Sequence, residues 1–165
     1  MNNRNRWLVV VLSALCVLVI AAVAFIANQR PLTTVTVTHA VVTPTSTIGA
    51  GVGTVRTFFI PINVDGVDAD DQYLSGTLTT LSDSVNGDDE LRSANLVFVF
   101  GDEANQLVVG GISLYPPAGS TIAVGAETVR PVVGGSGIYA GATGEAISTN
   151  LGDEGWSHVF HIRIG

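Results

Sequence analysis

Few side chains in this 165-residue chain are of the types that do chemistry, so their spacing is informative. His158 and His161 stand three apart, and on a strand residues three apart face opposite ways. They cannot grip one ion as a helical His-x-x-x-His pair does. Asp65, Asp68, Asp70 and Asp71 form an acidic cluster, but no glycine or closing glutamate falls where an EF-hand calcium loop needs it, so it reads as a solvated turn, with calcium binding as the alternative. Gly135-Ser136-Gly137 lacks the spacing of a nucleophile elbow. No phosphate-binding loop is formed either, because the chain has no lysine and its glycine-rich run is followed by strand-type sequence. No metal site and no cofactor are expected.

His158 is the candidate catalytic residue. In the last apolar segment Trp156, His158, Phe160, Ile162 and Ile164 share one face, against Ser157, Val159, His161 and Arg163 on the other. The bulkier face should line an interior, which makes His158 a polar group in an apolar lumen and Trp156 and Phe160 cavity residues. A histidine bonded to the protein's own structure is the competing reading. Leu96, Phe98 and Phe100, or alternatively Val97 and Val99 with Asn95, would be the matching inner face of an earlier segment, which makes Phe98 and Phe100 candidate cavity residues as well.

Positioning these residues falls to strands. After Thr54 the sequence alternates between apolar segments and turn signals, with no amphipathic helix. Arg56 to Val64, Tyr73 to Ser82, Leu91 to Phe100, Gln106 to Leu114, a segment ending at Val133, Tyr139 to Thr149 and Trp156 to Ile164 read as strands. Pro61 marks an edge or a bulge in the first of them. With the alternating Thr33 to Thr38, about eight strands result. Eight antiparallel strands favour a closed barrel, which removes exposed edges and can enclose one small ligand. The fold expected is therefore an all-β, roughly eight-stranded antiparallel barrel.

Ahead of the barrel, Trp7 to Ala27 is a run of 21 residues with Ser13 as its only conventional polar member. As a helix it would be about 30 Å long, the thickness of a bilayer core. Its length favours a non-cleaved signal anchor, while Ala22-Val23-Ala24 offers a cleavage site that would yield a secreted form. Arg4 and Arg6 precede it, which places residues 1–6 in the cytoplasm and the rest outside. The expected organisation is an n-region over 1–6, the anchor or signal peptide over 7–27, a stalk and first strand over 28–54, and the rest of the barrel over 55–165. Cys16 is the only cysteine and lies in the apolar run, so no disulfide can form within the chain. Beyond Pro31, fourteen acids against four arginines leave a net charge of −10, which disfavours nucleic acid and anionic lipid as partners.

The most distinctive stretch is Arg130 to Glu145, with Gly134, Gly135, Gly137, Gly141 and Gly144 within eleven residues. Such a run marks a tight, packed corner between strands, with Ile138 and Tyr139 expected to pack beneath it. Gly134, Gly135, Ser136, Gly137, Ile138, Tyr139, Gly141, Ala142 and Gly144 match the form G-G-S-G-I-[FY]-x-G-A-x-G. In this segment the chain resembles the allene oxide cyclase family and the related dirigent-type barrels. Phe100-Gly101-Asp102 and Leu107 to Gly110 look like that family's preceding strands.

The resemblance implies a cofactor-free isomerase or cyclase that controls the conformation of a small apolar ligand, and homotrimers as the assembly. Thr143 stands where the cyclases carry Tyr and the dirigents Arg, so neither specific activity carries over. The alternative is a non-catalytic extracytoplasmic binding or structural module whose barrel is plugged by side chains.

Overall fold

In the computed structural model, which describes residues 30–117 and 120–165, period-two alternation becomes nine strands. They are β1 (Leu32–His39), β2 (Ser46–Ile48), β3 (Val55–Val64), β4 (Val67–Val85), β5 (Asp89–Phe100), β6 (Gln106–Tyr115), β7 (Glu127–Ser136), β8 (Thr143–Asn150) and β9 (Trp156–Arg163). From β3 to β9 each strand pairs antiparallel with the next in sequence. The sheet closes through β1, which pairs with β9 from Leu32↔Arg163 to His39↔Trp156 and with β3 at Val37↔Val64 and Thr38↔Asn63. Eight strands make the closed barrel, and three-residue β2 only extends β3 at one end.

Asp65 fastens the closure. It sits with φ +49 in the two-residue turn between β3 and β4, its N–H donates to the Thr36 carbonyl at 2.8 Å, and its carboxylate accepts from the Thr36 N–H at 2.8 Å. Of the acidic run expected to form one long turn, only Asp65 and Gly66 do so. Asp68, Asp70 and Asp71 belong to β4, whose 19 residues carry two register shifts against β5. A shift in the β3–β4 register between Pro61 and Asn63 marks the bulge at the proline.

Inward residues fill one half of the barrel. Val35 and Val37 of β1, Phe98 and Phe100 of β5, Leu107 and Val109 of β6, and Phe160 and Ile162 of β9 form one buried cluster with Ile62, Leu74, Val132 and Tyr139. Edge-to-face packing of Phe98 on Phe160, with ring centroids 4.9 Å apart, locks its centre. Burying one such phenylalanine contributes about 2 kcal/mol.

The glycine run folds as the end of β7, a short 3₁₀ turn (Gly137–Tyr139) and the start of β8, rather than as a continuous strand from Tyr139. Gly137, Gly141 and Gly144 have positive φ, and a Cβ on Gly135 would lie 2.7 Å from the Gln106 carbonyl oxygen. Tyr139 packs on Phe100 with centroids 4.7 Å apart, and Ala142 is buried. Ile138 differs from expectation: it is 64% exposed, because the 3₁₀ turn sends it outward while Tyr139 takes the inward place.

The apolar segment over 7–27, the n-region and Cys16 lie outside the described residues. Among the described residues no helix is long and apolar enough to cross a membrane.

Candidate functional site in the open half of the barrel

The half of the barrel above the packed cluster holds a cavity of about 410 Å³. One wall is apolar and comes from adjacent strands: Phe58 and Ile60 of β3, Leu74 and Leu78 of β4, and Leu96 of β5. The facing wall is polar, with Arg130 of β7, Ser148 of β8, Trp156 and His158 of β9 and His39 of β1. Arg56, Arg92 and Tyr115 complete the lining, and Val42, Pro44, Ser120 and Thr121 contribute from loops.

Strand register aligns a hydrogen-bonded chain along the polar wall. Ser148 lies directly opposite His158 across β8 and β9, and its Oγ is 2.8 Å from His158 Nδ1. His158 Nε2 is 2.9 Å from His39 Nε2, and His39 Nδ1 is 2.8 Å from the carbonyl of Ala40. A carbonyl only accepts, so His39 Nδ1 carries its hydrogen and, in the neutral ring, Nε2 accepts. His158 therefore donates from Nε2, and its Nδ1 accepts from the Ser148 hydroxyl. Burial pushes His158 well below the usual histidine pKa, and the neighbouring His39 and Arg130 push it the same way. Burial also lowers His39, against the bond to Ala40. Both rings are held neutral, as the chain requires.

Two of the three guanidiniums share a single carboxylate. Glu90, 1% exposed, accepts from Arg92 Nε at 2.6 Å and from Thr80 at 3.3 Å, and lies 3.8 Å from Arg56 Nη2. Arg92 stacks over the Tyr115 ring at 4.3 Å. Arg130, 3% exposed, donates among the described residues only to neutral oxygens, Thr128 Oγ1 at 3.0 Å and the Tyr115 hydroxyl at 2.9 Å. Its Nε has no partner.

The lumen is thus not the dry apolar cavity with one or two polar groups that the sequence suggests. Arg56, Arg92 and Arg130 stand in phase with the inward residues Phe58, Ala94 and Val132 of their strands, and that phase is the missed signal.

Of the residues singled out from sequence, His158 and Trp156 line the cavity, whereas Phe98, Phe100 and Phe160 lie in the packed cluster. Phe98 meets His158 from below, edge to face at 5.1 Å. No residue of the Gly134 to Gly144 corner lines the cavity. Across the solved structures, a pyocyanin demethylase superposes with a TM-score of 0.55 at 19% identity, covering 80% of this chain and 99% of the other. The pterocarpan synthase dirigent proteins GePTS1 and PsPTS1 superpose with TM-scores of 0.55 and 0.51, each at 15% identity. Those matches cover 85% and 82% of this chain and 96% and 94% of theirs.

The fold is a dirigent-type barrel. No family model matches the chain, and no curated protein sequence does. At these identities the likeness extends to architecture, and the chemistry has to be argued from the cavity's own residues.

Proposed function

We propose that the barrel binds a small, largely apolar molecule in its open half and converts it by a cofactor-free isomerisation or cyclisation. The observation that carries this reading is the cavity of about 410 Å³, in which an apolar wall faces the Ser148–His158–His39 chain. A pocket of this size and composition suits a hydrocarbon framework that must be folded and shielded from water. The Gly134 to Gly144 match to the allene oxide cyclase corner and the dirigent-type fold support the barrel that encloses this cavity, and the reaction class rests on the cavity itself.

Ser148 is the point of contact with the ligand. Ser148 lines the cavity while His158 accepts its hydroxyl hydrogen, so a proton donated to Ser148 from the ligand can pass to His158 as the serine gives up its own. The imidazolium so formed donates to His39, whose acceptor nitrogen is already aimed at it, and the proton returns to another atom of the ligand through Ser148, which leaves an isomer. On sequence grounds, the apolar run over 7–27 behind two arginines, we place the barrel outside the cytoplasm.

A second reading, a binding barrel without catalysis, is favoured by one feature: both ring nitrogens of His158 are already engaged by protein groups. Mass spectrometry of ligand co-purified with the full-length protein, followed by assay of its conversion, separates the two. For an enzyme, His158→Ala should lower turnover at least about 100-fold while the ligand is still bound. Unchanged turnover in a folded variant removes His158 from the site, and binding without conversion leaves the non-catalytic barrel.

A further inference from the structure

The uncompensated charge in the cavity specifies more of the ligand than its size does. Glu90 is shared by Arg92 and Arg56, and among the described residues no carboxylate pairs with Arg130. A guanidinium cannot shed its proton, so Arg130 stays charged although it is almost completely buried. A buried cation held by two neutral oxygens and, at 5.9 Å from the centroid, by the face of the Tyr115 ring still lacks a counter-charge, and an anion that joins it relieves this.

Tyr115 completes the recognition set. Its hydroxyl accepts from Arg130, which leaves its own hydrogen free to be donated. Its ring lies against Arg92, keeping a second guanidinium at the same place. The apolar wall of Phe58, Ile60, Leu74 and Leu96 bounds the remainder of the space.

We infer that the ligand is an amphipathic carboxylate, whose anion is seated by Arg130 and the Tyr115 hydroxyl and whose hydrocarbon body lies on the wall formed by β3, β4 and β5. Carboxylate is the matching oxyanion because its two oxygens can take a guanidinium N–H and a hydroxyl together. This deepens the function proposed above and rests on the cavity being a ligand site.

Calorimetric titration of the full-length protein with three acid and amide pairs tests it: 2-naphthoate, biphenyl-4-carboxylate and decanoate, each against its primary amide. Each pair shares its hydrocarbon and differs in charge. At least one carboxylate should bind tenfold or more tighter than its amide. Arg130→Gln should reduce that preference to within twofold, while Arg163→Gln, on the exposed face of β9, keeps it.

Amides that bind as tightly as their acids overturn the carboxylate and leave the ligand site standing, and so does a preference that survives Arg130→Gln. Failure of all six compounds removes the ligand site and this inference with it. An Arg130→Gln protein that does not fold assigns the arginine to the scaffold and overturns the inference as well.

Discussion

His39 and His158 are neutral rings whose protonation is opposed by burial and, at His158, by the nearby His39 and Arg130, and this makes the fold sensitive to mild acid. Both have pKa values lowered by burial, so between the unfolded value near 6.5 and the lower folded values the unfolded chain binds more protons. Stability is complete above about pH 6.5 and falls as pH drops below it, by up to about 1.4 kcal/mol per pH unit for each histidine. Thermal melts between pH 7.5 and 5 should show this decline, and His158→Gln should at least halve its slope. A slope unaltered by the substitution would mean that His158 is not held neutral. The place of His158 was legible because β9 alternates cleanly from Trp156 to Ile162. The three arginines were not, because a net charge of −10 treats charges as a sum and carries no information about strand phase. Only the alternation of Arg56 with Phe58, and of Arg92 with Leu96 and Phe98, contains it.

At the level of elements, the glycines of the corner divide by what surrounds them. A Cβ on Gly144 would collide with the His161 carbonyl oxygen, and its φ is +147; one on Gly135 would press on Gln106 and Tyr139. Gly134, beside them in the same motif, has open space around its position. Gly135→Ala or Gly144→Ala should therefore cost about 2 kcal/mol or more in urea unfolding, and Gly134→Ala should stay within about 0.5 kcal/mol of the parent. Equal losses at all three would show that the motif acts as a unit rather than through individual contacts. The run announced a corner correctly because glycine density reports tight backbone. It could not report the 3₁₀ turn that rotates Ile138 outward, since a helical turn and a strand bend make the same demand for small residues.

The whole molecule depends on β1, the one strand with both neighbours far away in the chain. Its pairings with β9 and β3 are the seam, and without it two edges are exposed and the packed cluster loses Val35 and Val37. A chain beginning at Val41 should show no cooperative thermal transition by circular dichroism, whereas one beginning at Arg30 should melt cooperatively. Recovery of a sharp transition in the shorter chain would mean that the seam is dispensable. The eight-stranded closure was readable from the number of short strands and the lack of helices. The division of the lumen into a filled half and a hollow half was not, because both halves use the same alternation and differ only in side-chain volume and charge. Inside and outside are also electrically opposed, with an acidic exterior around a cavity lined by three guanidiniums, two of which share the buried Glu90.

The seam has a practical side. Leu32 pairs with Arg163, and Gly165 donates to the Ala140 carbonyl beside the glycine corner, so the barrel's first strand begins and its last strand ends at the packed end. His39 and Trp156, at the other ends of the same two strands, are at the cavity. A bead, a fluorophore or a fusion partner attached after Gly165 would therefore hang from the sealed base, leaving the hollow end free for ligand uptake to be watched on the tethered molecule.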